Sequence, residues 1–245
     1  MTYFEGFVQA VPTANKEAYR KHAADAAPIF KEFGVTRMVE NWGDDVPRGK
    51  VTDFQGAVKA KDDETVVFSW FEYPDKATRD AASKRMMEDP RMKEMGANMP
   101  FDGQRMIYGG FDALIDEGSE RGGYSDGYLV PVPNANKEAY RDVAQKAAAV
   151  FKDHGALRVV EAWGDDVPDG KITDYKGAVK AEEGENVVFS FVEWPTKEVR
   201  DAGWKAVMED ERMQTPPSEM PFDGKRMIYG GFQPILDTAR EKADA

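Results

Sequence analysis

The sequence predicts an α+β fold in which two copies of one βαββαβ unit close into a single barrel. The first reason is an internal repeat: residues 3–115 recur as residues 124–236 at a constant offset of 121, without insertion or deletion. The second is that each copy alternates β-forming runs with segments of helical periodicity. The third is that the resulting order of elements leaves one face of each sheet without helices to cover it.

The repeat also sets the expected domain boundaries. Each copy has the size of a small domain, and the charged, glycine-rich residues between the copies are typical of a short linker. Two independent domains on that linker are the alternative arrangement. The expected boundaries are 1–115 for the first repeat, 116–123 for the linker, 124–237 for the second repeat and 238–245 for a polar C-terminal tail.

A strand and a helix open each copy. Phe4–Val11 is rich in β-forming residues and ends at Pro12, after which Asn15 is placed to cap a helix. Apolar residues then recur at helical spacing up to Gly34, a residue type common at helix C-termini. The predicted buried face of this helix consists of Tyr19, Ala23, Ala26, Phe30 and Phe33.

Four further strands and one helix complete the copy. Val35–Trp42, Gln55–Lys61 and Thr65–Tyr73 are predicted as strands, Asp75 to Glu88 as a helix, and Arg105–Ile115 as the last strand. The order is β-α-β-(β)-β-α-β, which is the ferredoxin-like pattern with two helices on one face of an antiparallel sheet. Because the other face needs a partner, we expect a monomer that acts as a pseudo-dimer, with further self-association left open.

The chain is acidic, and this disfavours several classes of partner. Its formal net charge is −12 and its pI is about 4.8, whereas nucleic-acid and anionic-membrane binding call for basic surfaces. No apolar run approaches the roughly 20 residues that cross a bilayer, and the N-terminus lacks the features of a signal peptide. We therefore expect a cytoplasmic protein that binds neither nucleic acid nor membrane. The absence of cysteine excludes disulfides and thiolate chemistry.

Motifs shared by both copies resemble a known family. They include Trp42-Gly-Asp-Asp-Val-Pro47 and the long run Met99 to Phe111, which recur at Trp163 to Pro168 and Met220 to Phe232. In these residues both copies resemble the DUF1428 family of small bacterial proteins over nearly their whole length. The resemblance implies a dimeric α/β-barrel, formed in single-copy relatives by two chains, and no established activity. Related barrels include cofactor-independent monooxygenases, heme-degrading enzymes, chlorite-dismutase-like proteins and plain ligand binders, so the fold is a weak guide to function.

Histidine and serine patterns disfavour most catalytic machinery. His22 and His154 occupy non-equivalent positions in the two copies, so no histidine mechanism is common to both, and we expect both on helix surfaces. Ser69 and Ser190 match, but no histidine accompanies them, which favours core hydroxyls over nucleophiles. We accordingly expect no bound metal and no cofactor.

Acidic residues follow the second predicted strand of each copy. Asp44 and Asp45 come after Glu40, and the pattern recurs at Glu161, Asp165 and Asp166. Three interpretations remain open: ordinary loop residues that cap their own turn, the wall of a binding site, or an oxygen-rich cation site.

Polar residues unchanged between the copies give a shortlist for a ligand site. If they face a lumen, the lysines and arginines of this set would bind an anionic or carbonyl ligand, and the tyrosines would donate a hydrogen bond to it. Ion pairs to Glu40, Glu72 or Asp102 are the structural alternative. The shortlist is Glu40, Lys59, Arg105 and Tyr108, with Glu161, Lys180, Arg226 and Tyr229.

Two hypotheses for the function follow. The first is a small-molecule-binding barrel or a cofactor-independent enzyme that acts on a small aromatic or carbonyl compound, with Lys, Arg and Tyr converging on an enclosed pocket. The second is a non-catalytic accessory or interaction protein with a filled barrel.

Two sets of residues bear on where a ligand could bind. The methionines of the first copy, at 86, 87, 92, 95, 99 and 106, are expected mainly as core filling. The copies also differ at Phe7 and Tyr128, at Ser83 and Trp204, and throughout residues 93–98 and 214–219. Equal sites in the two copies should therefore not be assumed.

Overall fold

The structure is a computed structural model that describes residues 1–240. The first half, residues 1–117, contains β1 (Tyr3–Pro12), α1 (Lys16–Glu32), β2 (Arg37–Asp45), α2 (Phe54–Ala57), β3 (Glu64–Tyr73), α3 (Lys76–Glu88), α4 (Pro90–Ala97) and β4 (Ile107–Glu117). The second half, residues 124–240, contains β5 (Tyr124–Pro133), α5 (Lys137–Asp153), β6 (Arg158–Asp166), α6 (Tyr175–Ala178), β7 (Glu185–Trp194), α7 (Lys197–Glu209) and β8 (Ile228–Asp237). Residues 241–245 of the expected tail lie outside the described residues.

The eight strands form one closed antiparallel barrel in the order β1-β3-β2-β8-β5-β7-β6-β4. Two seams join the halves, because β2 pairs with β8 and β4 pairs with β6. Each seam supplies hydrogen-bonding partners to strands that would otherwise be sheet edges. The prediction of two α+β repeats that close into an intramolecular barrel is confirmed.

Aromatic side chains from both halves fill the inside of the barrel. Phe68 and Phe189 stack with ring centroids 4.6 Å apart, and Trp70 and Phe191 stack at 4.0 Å. A Cβ atom at Gly6 would lie 2.6 Å from the ring of Phe189, so glycine is needed there for the ring to reach across. The lumen is therefore packed core.

A buried ion cluster packs against this aromatic core and ties the halves together. Arg37 of the first half donates to Glu193 and Asp237 of the second half at 2.6 and 2.7 Å. Arg158 of the second half donates in turn to Glu72 of the first half at 2.7 Å. All five side chains are buried, and Asp237 pairs with Arg37 alone among the described residues. Removing Arg37 would therefore leave a buried carboxylate without a cation.

The prediction of a strand at Gln55–Lys61 is wrong, since this segment begins with the short helix α2. The Asp53 carboxylate accepts a hydrogen bond from the backbone N–H of Gly56 at 2.6 Å, an N-cap interaction that favours a helical turn. Lys59 has a φ of 49°, a left-handed conformation that a strand does not accommodate. The periodicity of a short apolar run could not separate the two possibilities.

The ends of several other elements differ from the prediction. Arg105 lies in a short 3₁₀ turn, and β4 begins two residues later. That strand continues to Glu117, so the first residues of the expected linker belong to the sheet. Asp116 accepts a hydrogen bond from Arg158 at 2.7 Å, which shows that this end of the linker is packed.

The capping role expected for Asn15 is also wrong. Asn15 stands at the N-terminus of α1, but its side chain caps no helix N–H. Its Nδ2 donates instead to the carbonyl of Pro100 at 2.8 Å. The residue therefore fixes the loop before β4 against the start of α1.

Candidate functional site

A cavity of about 270 Å³ lies on the outer face of the first-half sheet, beneath α1 and α4. We call it the first-half cavity. Its wall is mainly apolar, with the polar side chains of Glu5, Gln9, Tyr19, His22 and Glu40 among the lining residues.

Methionines form a large part of this wall. Met87 is exposed. The other five methionines expected as core filling line the cavity, and of these Met86 and Met92 also pack against the hydrophobic core as expected. Flexible, polarisable side chains of this kind adapt to the shape of a bound molecule. The methionines that line the cavity are Met38, Met86, Met92, Met95, Met99 and Met106.

Glu40 is held on this wall by two hydroxyl groups. It lies on β2, directly opposite Ser69 of β3 in the sheet register. The hydroxyl of Tyr19, from α1, donates to Glu40 Oε2 at 2.5 Å, and the hydroxyl of Ser69 donates to the same oxygen. No described protein group donates to Oε1. One carboxylate oxygen is therefore fixed by two donors, and the other has none among the described residues.

Burial changes the acidity of Glu40. Desolvation raises the pKa of its carboxyl to about 7, even though the hydrogen bonds from Ser69 and Tyr19 act in the opposite direction. A carboxyl group with this pKa is present in both protonation states near neutral pH. That property suits a general acid or base.

Gln9 extends the same network from β1. Its Nε2 donates to the hydroxyl oxygen of Tyr19 and, at the longer distance of 3.4 Å, to that of Ser69. Its Oε1 is buried and has no hydrogen-bond partner. Sequence reasoning missed Gln9 because the counterpart residue in the second copy is Val130. Ser69 is fully buried, as expected for a core hydroxyl.

His22 also lines the first-half cavity and is not confined to the helix surface as expected. Burial lowers the pKa of this histidine, which favours the neutral imidazole. Its counterpart in the second half is Val143. His154 lies elsewhere, at the end of α5, with its Nε2 2.9 Å from Asp210.

The other shortlisted residues of the first half do not converge on the cavity. Arg105 binds Glu64 with two hydrogen bonds of 2.6 and 2.7 Å and also binds Asp102 at 2.9 Å. Lys59 is exposed and lies on a separate cleft between the halves, and the side chain of Tyr108 is 47% exposed. The expectation that lysine, arginine and tyrosine meet in one pocket is therefore wrong.

The second half repeats this outcome. Arg226 binds Glu185 with hydrogen bonds of 2.6 and 2.7 Å. Lys180 shares the cleft with its counterpart of the first half, and Tyr229 is exposed to the same extent as Tyr108. For the arginines, the ion-pair interpretation is the correct one, with Glu64 and Glu185 as the main partners.

The paired aspartates connect the two halves. The hydroxyl of Tyr124 donates to Asp44 at 2.9 Å, and Arg200 donates to Asp45 at 2.8 Å. Asp165 and Asp166 receive the equivalent contacts from Tyr3 and Arg79. These contacts join the end of one strand to the opposite half. Residues 1–240 contain no group of three or more potential metal-ligating side chains.

The second half keeps this glutamate, but Glu161 is only half-buried whereas Glu40 is buried. The hydroxyl of Tyr140 donates to Glu161 at 2.7 Å, and burial raises the pKa of Glu161 to about 7. Trp204 replaces Ser83, however, and its Nε1 donates to Asp126 at 2.8 Å. Its ring also packs on Tyr128 and Phe151, at centroid distances of 6.4 and 5.3 Å.

The three partners of Trp204 identify the space that its ring occupies. Asp126, Tyr128 and Phe151 are the counterparts of Glu5, Phe7 and Phe30. Those three residues of the first half line its cavity. In the first half the ring of Phe71 packs on both Phe7 and Phe30, at centroid distances of 4.8 and 4.7 Å. Val192 replaces Phe71 in the second half, so Trp204 fills the space that Phe71 fills in the first half.

Sequence comparison relates both halves to one family. The profile of the family described as "Protein of unknown function (DUF1428)" matches residues 2–103 and 123–224. "Uncharacterized protein YbaA" of Escherichia coli K12 is 66% identical over 117 residues, which cover 48% of this chain and all of YbaA. The Shigella flexneri protein of the same name gives the same values.

Structural comparison finds proteins with the same fold and low sequence identity. A proposed monooxygenase from Fusobacterium nucleatum aligns with a TM-score of 0.60 and 12% identity, covering 96% of this chain and 93% of that protein. A proposed monooxygenase from Lactobacillus acidophilus gives 0.56 and 10%, with 96% and 95% coverage. An anthrone oxidase-like protein gives 0.52 and 12%, with 96% and 91% coverage. These similarities establish a shared fold. In residues 1–240, no helix is both long and apolar enough to cross a membrane.

Proposed function

We propose a function from the first-half cavity itself, because the chain belongs to the DUF1428 family, a family of unknown function. The first-half cavity binds a compact aromatic or carbonyl compound, and Glu40 removes a proton from that compound. The observation that carries the proposal is the buried Glu40 carboxylate on the wall of an apolar cavity, with Oε2 held by Tyr19 and Ser69.

The size and lining of the cavity set the class of ligand. An apolar cavity of about 150 Å³ is sufficient to hold benzene, so about 270 Å³ suits a molecule of two fused rings. Apolar walls with a few oriented polar groups are typical of small-molecule sites. An anionic ligand would have no cation to pair with on this wall, since the side chains that line it include neither lysine nor arginine.

The proposed step is a proton transfer. Glu40 Oε1 takes a proton from a carbon next to the carbonyl group, the C–H bond breaks, and its electron pair moves into the enolate. The fixed Oε2 keeps the carboxylate in one orientation, and a pKa of about 7 lets Glu40 accept the proton and return it near neutral pH.

Oxygenation is a second candidate that one observation favours. An enolate is the form of a carbonyl compound that gives electrons to molecular oxygen, which would be the co-substrate. Three proteins of the same fold are named as proposed monooxygenases or as anthrone oxidase-like. Oxygen uptake, measured in the same reaction, separates oxygenation from simple proton exchange.

The filled barrel agrees with one expectation of the accessory-protein hypothesis. The aromatic pairs leave the lumen packed, as that hypothesis requires. The first-half cavity lies outside the barrel, however, between the sheet and the helices. A packed lumen and a ligand site are therefore compatible in this protein.

The exchange of α-protons of 2-tetralone in D₂O, followed by NMR, tests the proposed chemistry. We expect the protein to accelerate exchange and Glu40→Gln to lower the rate by about 100-fold or more. Glu161→Gln is the matched control, because it alters the equivalent carboxyl of the second half, and it should leave exchange unchanged. A wild-type rate that persists in Glu40→Gln would exclude Glu40 as the base.

A further inference from the structure

We infer that His22 donates a hydrogen bond to the carbonyl oxygen of the ligand and stabilises the enolate that forms when Glu40 removes the proton. This inference rests on the proposed function and adds a second catalytic residue to it. It also narrows the ligand to a carbonyl compound, because the oxygen that receives the hydrogen bond is the one on which the enolate charge develops.

Helix α1 places His22 on the side that faces the first-half cavity. The residues of α1 that line the cavity are spaced by three and four positions, so they share one side of the helix. They are Tyr19, His22, Ala23, Ala26 and Phe30. The hydroxyl of Tyr19 donates to Glu40 at 2.5 Å, and His22 follows Tyr19 by a rise of about 4.5 Å along the helix. A ligand of two fused rings is long enough to touch both Glu40 and His22.

The imidazole of His22 is available to a ligand. His22 is half-buried, and within residues 1–240 its ring makes no hydrogen bond to the protein, whereas His154 is paired with Asp210. Burial lowers the pKa of His22, although the charge of Asp25 acts in the opposite direction. The ring is therefore neutral near pH 7 and carries one N–H donor.

The other polar side chains on the cavity wall cannot supply this donor. Glu40 is the proposed base, and the carboxylate of Glu5 already accepts hydrogen bonds from the protein. The Nε2 of Gln9 donates to the hydroxyl oxygens of Tyr19 and Ser69, and the Tyr19 hydroxyl donates in turn to Glu40. Among the described side chains that line the cavity, the imidazole is thus the donor left for a carbonyl oxygen.

The chemistry of the proposed step calls for such a donor. When the α-carbon loses its proton to Glu40, the electron pair of the C–H bond forms a carbon–carbon double bond, and the carbonyl oxygen becomes the negatively charged enolate oxygen. A hydrogen bond to this oxygen is stronger in the enolate than in the ketone, so it lowers the barrier. The imidazole keeps its own proton throughout, and the proton held by Glu40 can return to carbon.

The second half provides a natural reference for His22. Val143 occupies the equivalent position of α5, and α5 has the same length of 17 residues as α1. A valine at this position is therefore compatible with the helix. We expect His22→Val to fold, since the scaffold does not need the histidine.

Exchange of the α-protons of 2-tetralone in D₂O, followed over a range of 2-tetralone concentrations, tests the role of His22. We expect His22→Val to lower kcat by about 10- to 100-fold, the range for one hydrogen bond to a charged group, with little change in KM. His154→Val is the matched control, because it removes the other histidine of the chain, and it should keep the wild-type kcat.

The possible failures are distinct. A wild-type kcat in His22→Val, with exchange still lost in Glu40→Gln, would overturn the inference and leave the proposed function standing. A raised KM at unchanged kcat would also overturn the inference, because it would show that His22 binds the ketone and the enolate equally. If the wild-type protein does not accelerate exchange, the proposed function fails together with the inference.

The ring nitrogens of the two histidines give a second measurement that needs no variant. In protein with ¹⁵N-labelled histidine, 2-tetralone should shift the ring signals of His22. The signals of His154 should stay in place, because its ring is paired with Asp210 at 2.9 Å. Unchanged His22 signals, in a wild-type protein that catalyses exchange, would overturn the inference.

Discussion

Replacing Glu40 by glutamine should flatten the pH dependence of stability. Burial raises the pKa of Glu40 from 4.5 to about 7, so the folded protein keeps this proton at pH values where the unfolded chain has released it. The folded state then binds more protons than the unfolded state, and the free energy of unfolding falls as the pH rises from about 4.5 to about 7. Below pH 4.5 both states are protonated and Glu40 has no such effect.

The size of the effect follows from the same values. Each tenfold difference in proton affinity corresponds to about 1.4 kcal/mol, so ionisation of Glu40 should remove about 2 to 3 kcal/mol of stability between pH 5 and pH 8. A glutamine at this position cannot ionise and should not show that loss. Comparison of the two proteins cancels the contributions of every other titrating group that the substitution leaves unchanged.

Urea unfolding at pH 5, 6, 7 and 8 measures this difference. We expect the wild type to lose about 2 to 3 kcal/mol more than Glu40→Gln across that range. Glu161→Gln should behave similarly, because burial raises the pKa of Glu161 to about 7 as well. An equal loss of stability in the wild type and in Glu40→Gln would refute the assignment of a buried carboxyl with a raised pKa.

Three further predictions concern the scaffold. The double variant Arg105→Met, Arg226→Met should lose about 1–3 kcal/mol per site in urea unfolding, because carboxylates lose their partners, while its affinity for 2-tetralone stays unchanged; lost affinity at unchanged stability would contradict this. Arg37→Met should lower the free energy of unfolding by about 3–5 kcal/mol, since it removes the cation from a buried carboxylate. A loss below about 1 kcal/mol would show that the cluster does not hold the halves together. Residues 1–117 expressed alone should dimerise in sedimentation, because both seam strands lack partners, and a stable folded monomer would contradict the shared barrel.

The repeat made the architecture predictable from the sequence. Two copies with the same order of elements, each with an uncovered sheet face, leave few arrangements apart from a joint barrel. The strand predicted at Gln55–Lys61 failed because a short apolar run does not distinguish a strand from a helical turn. The N-cap at Asp53 decides between them, and its hydrogen bond to Gly56 depends on the local backbone conformation.

The candidate site was less predictable for a physical reason. Sequence identity between the copies selects residues that brace the barrel as readily as residues that bind a ligand, and Arg105 with its partner Glu64 is an example of the former. Of the shortlisted residues, Glu40 lines the first-half cavity. Gln9 and His22 were missed because each differs between the copies, whereas the shortlist was drawn from positions that match. The difference at Ser83 and Trp204 was visible, but only the fold shows that the tryptophan ring meets the counterparts of cavity residues.

A crystal structure of the protein soaked with 2-tetralone shows whether Glu40 contacts a ligand in the first-half cavity. We expect 2-tetralone in this cavity, with its α-carbon next to Glu40 Oε1. An empty first-half cavity, with 2-tetralone bound instead in the cleft between Lys59 and Lys180, would contradict it.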